Sequence, residues 1–203
     1  MNFLLINTCG EPGVVAIAAG GGIAVETMPG RGTSETLIPT VRRLLGGGIR
    51  LDGVGVVDGP GSFTGVRVGL SAAKGLCDAL GVGLVAMSRL ELVAGDGAEG
   101  EAVALLDAGR GEYYCGVYRR GLRLSEEILG FQEVRELIEG REALTCEARV
   151  AERLGVKLVQ EPGAKEMLKL VQERVAAGKW SDVGAADANY LRRTDAELLK
   201  AAK

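Results

Sequence analysis

The stretch that most constrains the fold is DGPGSFTG at residues 58–65, which we call the signature turn. A short β-branched run at residues 54–57 precedes it and predicts a buried strand. Residues 66–80 follow it and carry apolar side chains at helical spacing, which predicts a central helix. The signature turn therefore joins a strand to a helix, and its amide groups lie near the positive end of the helix dipole.

The glycines and the proline of the signature turn fit either an anion-binding loop or a purely structural one. A Walker A loop ends in Gly-Lys-Ser/Thr, whereas Gly65 is followed by Val66 and Arg67. A dinucleotide fingerprint needs glycine where this chain has Thr64. The open alternatives are a nucleotide or anion held at an interface, and a turn whose helix is capped by Ser62 or Thr64. An anion site here would include Asp58, Gly59, Gly61, Ser62 and Thr64.

The order of apolar runs predicts an α/β protein made of two similar halves. Three hairpin-linked strands near the amino terminus precede alternating helices and strands, and a second series of the same kind begins near Val103. The order βββαβα is typical of a ribonuclease H-like half, the unit that is duplicated in actin-like and sugar-kinase (ASKHA) folds. We predict a first half at residues 1–98 and a truncated second half at 99–186.

Composition removes several classes of function. The chain has no histidine, which excludes Ser-His and Cys-His nucleophiles and any histidine-bound zinc. None of the four cysteines forms a Cys-x-x-Cys pair, a usage typical of reduced thiols in the cytoplasm. The net charge of −3 argues against a chain that binds nucleic acid unaided. No apolar run reaches the ~20 residues that cross a bilayer, so we expect a cytoplasmic protein without a membrane or a bound metal.

Two aspartates keep an enzymatic hypothesis open. Actin-like ATPases place a carboxylate at the end of the first strand, and here that position is Asn7, whose amide lacks the charge that Mg²⁺ prefers. Asp58 and Asp107 end two other predicted strands. They are either the carboxylates of a small ATPase or phosphotransferase, or ordinary turn residues. The amide at Asn7 favours a chain that is not an enzyme and binds no cofactor by itself.

A strip of small residues on the central helix indicates close packing against another segment. Gly65, Gly69 and Ala72 or Ala73 share one face of that helix. Glycine inside a helix costs about 0.5–1 kcal/mol relative to alanine, and close approach of a second helix would offset this cost. The neighbour is either the chain's own helix predicted at 34–45 or the corresponding helices of another subunit.

Residues 58–69, with 88–91, 107–114 and 189–192, resemble the motifs of the TsaB family, also called YeaZ. This resemblance implies a non-catalytic protein of tRNA threonylcarbamoyladenosine synthesis. Such a protein pairs with its catalytic relative TsaD, recruits the ATPase TsaE, and forms a homodimer when TsaD is absent. The complex would modify N6 of an adenosine beside the tRNA anticodon, and tRNA, ATP or ADP, and Mg²⁺ would be bound by the complex only.

The resemblance also implies where the chain meets its partners. TsaD holds its metal on a His-x-x-x-His motif, and the matching residues 33–37 here contain no histidine. Residues 187–203 would pack back on the first half. The strip on the central helix would lie in a subunit interface rather than in the monomer core. The residues predicted for that interface are Leu37, Val41, Leu44, Gly65, Arg67, Gly69, Ala72, Ala73 and Leu76.

Overall fold

The computed structural model describes residues 1–30, 32–95, 100–189 and 191. The elements are numbered in chain order and alternate much as the sequence predicts. They are β1 (Phe3–Asn7), β2 (Gly13–Ala19), β3 (Gly22–Met28), α1 (Thr33–Leu45), β4 (Gly53–Gly59), α2 (Phe63–Leu80), β5 (Gly83–Ser88), α3 (Arg89–Ala94), β6 (Glu101–Gly109), β7 (Glu112–Arg119), β8 (Leu122–Gly130), α4 (Phe131–Ile138), β9 (Glu142–Thr145), α5 (Ala148–Leu154), β10 (Lys157–Leu158) and α6 (Ala164–Ala176).

Two five-stranded sheets have the same topology. The first has the order β3-β2-β1-β4-β5 and the second the order β8-β7-β6-β9-β10. In each sheet the first three strands in sequence are antiparallel, and the last two join in parallel. The predicted duplicated ribonuclease H-like fold is confirmed. The second sheet keeps all five strands, and the truncation lies in its helices and its last strand. The helix after β9 has 7 residues against 18 in α2, and β10 has only 2.

The chain divides into two compact units at boundaries that differ from the predicted ones. The first unit contains Met1–Arg89 and Pro162–Ala188, and the second contains Leu90–Glu161 with Asn189 and Leu191. Helix α3 packs on the second sheet, because Leu90 lies in one core cluster with Ala104 and Leu106. Residues 190 and 192–203 lie outside the described residues, and so does most of the segment that was predicted to pack back on the first half.

Helix α6 belongs to the first unit, and the first sheet has a glycine where this helix packs against it. A Cβ at Gly55 of β4 would overlap Val171 of α6. The side chain of Trp180, just after α6, covers Gly53 and Gly83 on the same sheet, and a Cβ at Gly53 would lie 2.9 Å from the indole. These close approaches bring residues 162–188 onto the first sheet, whereas the sequence pattern placed them in the second half.

The segment after Trp180 fastens to the edge strand β5. The Ser181 amide donates to the Leu84 carbonyl at 2.8 Å, and the Ala86 amide donates to the Ser181 hydroxyl at 2.9 Å. Lys74 of α2 donates to the carbonyls of Gly184 and Ala186, at 3.2 and 2.9 Å. The β5 edge of the first sheet is thereby partly covered by the chain itself. Within the described residues, no helix is long and apolar enough to cross a lipid bilayer.

Candidate functional site

The signature turn is fixed by the segment that leaves β1. The Ser62 hydroxyl accepts from the Gly65 amide at 3.3 Å, which confirms Ser62 as the cap of α2. The Ser62 amide donates to the Cys9 carbonyl at 2.8 Å. The buried Thr8 hydroxyl donates to the Gly65 carbonyl at 2.6 Å. The start of α2 is thus held by Thr8 and Cys9, two residues that the sequence pattern did not single out.

Thr8 and Cys9 pass so close to Gly61, Gly65 and Gly69 that these three positions have no room for a side chain. A Cβ at Gly61 would lie 2.8 Å from the Cys9 Cβ. A Cβ at Gly65 would overlap the Thr8 carbonyl oxygen, and one at Gly69 would overlap the Thr8 hydroxyl. The close neighbour of these glycines is therefore the segment of the same chain that leaves β1, and no second helix is needed to account for them.

The prediction that Gly65, Gly69 and Ala73 lie in a subunit interface rather than in the monomer core is wrong. All three are buried within the first unit, and Ala73 is fully inaccessible. Leu37 and Val41 of α1 are also buried in its core cluster. The physical reason is that small side chains here admit β1 and the core, which the helical spacing alone could not reveal.

The other predicted interface residues are more accessible. Leu44, Ala72 and Leu76 are half-buried and pack against the core with part of their surface. Arg67 is exposed, and its guanidinium carbon lies 3.8 Å above the centre of the half-exposed Phe63 ring, a cation–π contact. The outer face of α2 is therefore the part of the predicted interface that remains accessible in this chain.

A cleft of about 100 Å³ opens beside the signature turn, at the carboxyl ends of β1 and β4. The amino-terminal ends of α1 and α2 both lie at this cleft, and such helix ends favour negative charge. Among the described residues that line it, Glu11 is the only charged one, and its carboxylate opposes anion binding. The lining residues are Thr8, Gly10, Glu11, Gly30, Gly32, Thr33, Ser34, Ser62, Thr64 and Gly65.

The predicted anion-site residues divide into two groups. Ser62 and Thr64 line the cleft, whereas Asp58, Gly59 and Gly61 do not. Gly59 is buried and has φ +122°, a backbone conformation that favours glycine, and Gly61 packs against Cys9. The backbone geometry of the signature turn is thus explained by packing, and whether the cleft holds a nucleotide or an anion stays a prediction.

Asn7 and Asp107 both make local hydrogen bonds at strand ends. The Asn7 Oδ1 accepts from the Cys9 amide at 3.1 Å, and its Nδ2 donates to the Met167 sulfur at 3.8 Å. In the second unit, the Asp107 Oδ1 accepts from the Gly109 amide at 2.7 Å. Both are Asx-type turn interactions. Among the described residues, no three Cys, Asp or Glu side chains are grouped closely enough to hold a metal ion.

The duplicated sheets define an actin-like α/β protein built from two ribonuclease H-like halves. Residues 16–137 match the family model described as TsaD: tRNA N6-adenosine threonylcarbamoyltransferase. The chain belongs to the TsaB (YeaZ) family. It is 30% identical to the tRNA threonylcarbamoyladenosine biosynthesis protein TsaB of Bacillus subtilis over 70% of each chain, and 30% identical to that of Escherichia coli over 95% of each. The solved structure of YeaZ from Pseudomonas aeruginosa matches with a TM-score of 0.74 at 26% identity, covering 94% of this chain and 99% of that one.

Proposed function

We propose that this chain is a non-catalytic subunit of the machinery that forms threonylcarbamoyladenosine in tRNA, and that it pairs with TsaD and recruits TsaE. Two TsaB relatives are named for the biosynthesis of that nucleoside, and one of them matches along 95% of its length. The matching family model carries the name of TsaD itself, which supports a common fold for the two partners. In the absence of TsaD, the same surface would form a homodimer.

The observation that carries the pairing proposal is the exposed glycine in the middle of α2. Gly75 lies on the outer face, and a Cβ added there would meet nothing within 4 Å. Glycine at such a position costs about 0.5–1 kcal/mol relative to alanine, and nothing within the described chain offsets that cost. Close approach of a helix from a partner would offset it.

The residues around Gly75 suit a helix-pairing surface. Val68, Ala72 and Leu76 expose part of their apolar surface on the same side of α2, and Ser71 is exposed between them. The stacked pair of Phe63 and Arg67 lies about two to three turns from Gly75 towards the amino end of α2. Aromatic and arginine side chains of this kind often supply much of the binding free energy of an interface. We propose this outer face of α2 as the TsaD-binding surface.

The non-catalytic role rests on the residue at the end of β1. Asn7 is an amide, and its oxygen already accepts a backbone hydrogen bond. We therefore assign ATP or ADP and Mg²⁺ to the assembled complex, and the transfer chemistry to TsaD.

Co-purification with TsaD from the same source tests the pairing, with Gly75→Glu and Gly75→Ala as matched variants. Both variants should fold, because the added atoms point into open space. Gly75→Ala should pair with TsaD or weaken pairing only mildly. Gly75→Glu should abolish it, because a charge would be desolvated without a partner. Unchanged pairing by Gly75→Glu would show that the interface lies elsewhere.

A reconstituted modification assay tests the function. The modified adenosine should form from TsaD, TsaE, threonylcarbamoyl adenylate and tRNA only when this chain is added. The Gly75→Glu variant should not support the modification in place of the wild-type chain. Full modification without this chain would contradict the proposal.

A further inference from the structure

One end of the second sheet carries an arginine cluster, which we define as Arg119, Arg120 and Arg141. Glu101 at the start of β6 accepts from Arg119 at 2.6 Å with one carboxylate oxygen and from Arg141 at 3.1 Å with the other. These bonds hold the pKa of the Glu101 carboxyl below its usual range, so the carboxylate stays charged and keeps both guanidinium groups in place. Arg141 also donates to the Leu137 carbonyl at 2.5 Å.

The cluster has a positive excess. The guanidinium groups of Arg119 and Arg141 bond to the carboxylate of Glu101, Arg120 follows Arg119 in the hairpin, and the side chain of Arg119 is 60% exposed. Two other ion pairs of the same sheet, within the described residues, do not include the cluster. Arg123 contacts Glu126 at 3.3 Å, and Lys157 contacts Glu142 at 3.1 Å. Among the described residues, the cluster therefore carries three positive charges against the one carboxylate that it bonds, with spare N–H donors, on a chain whose net charge is −3.

Arg120 occupies a backbone position that a glycine would occupy with less strain. It has φ +50° and Gly121 has φ +70°, so both central residues of the β7–β8 hairpin are left-handed. The corresponding β2–β3 hairpin of the first unit has the same conformation with Gly20 and Gly21, at φ +59° and +80°. The duplicated fold thus supplies its own comparison. The second unit has arginine where the first unit solves the same turn with glycine.

We propose that the arginine cluster binds phosphate oxygens of the tRNA backbone. Guanidinium groups match phosphate oxygens with paired N–H donors, and two of these three are held in place by Glu101 before any ligand arrives. Phosphate contacts position a nucleic acid without reading its sequence. The contact is therefore weak and sequence-independent in the isolated chain, and it orients the tRNA in the complex. The inference rests on the proposed function, because that function supplies the tRNA.

Salt-dependent binding of a tRNA transcript tests the proposal. The variants are Arg120→Gly, which restores the residue found in the matched hairpin, and Arg119→Gln combined with Arg120→Gly. The control is Arg149→Gln, an exposed arginine on α5 at the opposite end of the sheet. Binding is measured for the isolated chain and for the chain mixed with TsaD, between about 0.05 and 0.2 M salt.

The slope of log affinity against log salt is negative, and each arginine lost should make it shallower by about one. The double variant should also bind several-fold more weakly than the wild-type chain. The control should match the wild-type chain, and Arg120→Gly should be at least as resistant to urea as the wild type. An unchanged slope in the double variant overturns the proposal, as does a wild-type chain that binds no tRNA in either form. A variant that no longer binds TsaD or TsaE but keeps the wild-type salt slope for tRNA also overturns the proposal. That result would assign the cluster to a protein partner.

Failure of this inference and failure of the proposed function are distinguishable. If the chain pairs with TsaD and supports modification while the slopes do not change, the function stands and the tRNA contact is wrong. If the chain does not pair with TsaD but the isolated chain shows the expected change in slope, the phosphate contact stands and the subunit role is wrong.

Discussion

At the residue scale, glycines of one helix differ in what surrounds them. Gly65 and Gly69 face Thr8, which leaves no room for a Cβ, whereas Gly75 faces open space. In the sequence all three are small residues on a helix, and helical spacing gives no information about which face meets β1. The need for close packing could therefore be predicted from the sequence, but its direction could not.

Replacing Gly65 and Gly75 separately by alanine should change stability in opposite directions. In Gly65→Ala the new Cβ overlaps the Thr8 backbone, which cannot rotate away, so we expect a loss of about 1–3 kcal/mol in the free energy of unfolding. In Gly75→Ala the helix gains up to about 1 kcal/mol. Urea denaturation of both variants is the measurement. Equal stabilities would contradict the packing of Thr8 described above.

The buried thiols should make the protein less stable at alkaline pH. Burial, helped by Asp78, raises the pKa of Cys77 to about 11, and burial, helped by Glu127, raises the pKa of Cys115 to about 12. In the unfolded chain these thiols have a pKa of about 8.5. The folded state thus binds more protons above that pH, and the free energy of unfolding should fall as the pH rises towards the folded pKa values.

Urea unfolding between about pH 8 and 11 measures this effect. The variant Cys77→Ala with Cys115→Ala should be less stable at pH 8 because it leaves small cavities, but its stability should fall less steeply with pH. If the variant and the wild-type chain lose stability in parallel, other groups such as lysines and tyrosines account for the alkaline effect.

At the element scale, most helices and strands follow from local pattern. The strand β4, the signature turn and the helix α2 lie where the apolar periodicity predicts them. The prediction that α6 belongs to the second half was wrong, because its packing depends on residues distant in the sequence. Its amphipathic pattern predicts a helix but not the sheet on which it packs, and that choice depends on Gly55 meeting Val171, 116 residues later. Such pairings between distant residues are not encoded in either segment alone.

Trp180 offers a direct test of how the segment after α6 packs. A Cβ at Gly83 would overlap its indole, so Gly83→Ala should push the ring outward from its present 43% exposure. Trp180 is the only tryptophan of the chain, and its emission should shift to longer wavelength. Gly22→Ala is a matched control in a strand, because the nearest atom to its Cβ would be the Ala19 carbonyl oxygen at 3.8 Å. An emission shift in the control but not in Gly83→Ala would contradict the packing.

At the scale of the whole molecule, the duplicated fold and the family follow from the sequence, whereas the site does so only in part. The order of strands repeats in both units, and the signature turn marks the family. Of the candidate site, the sequence indicated Ser62 and Thr64 but not Thr8, Glu11 or the cleft that they line together. Thr8 and Glu11 both lie in the loop after β1, and the parallel pairing of β1 with β4 places that loop beside the start of α2.

The isolated chain should neither hydrolyse ATP nor modify tRNA. A Mg²⁺–nucleotide site prefers a carboxylate at the end of the first strand, and here an amide stands there with its oxygen bonded to the Cys9 amide. In the cleft, the Glu11 carboxylate would repel a triphosphate. The measurement is phosphate release from ATP by the purified chain, with Asp58→Asn as the comparison. Sustained hydrolysis that disappears in Asp58→Asn would contradict the non-catalytic role and favour a small actin-like ATPase. Hydrolysis that the variant retains at the wild-type rate would exclude Asp58, the carboxylate of the signature turn, and an Asp107→Asn variant would then separate a role of Asp107 from a contaminating enzyme.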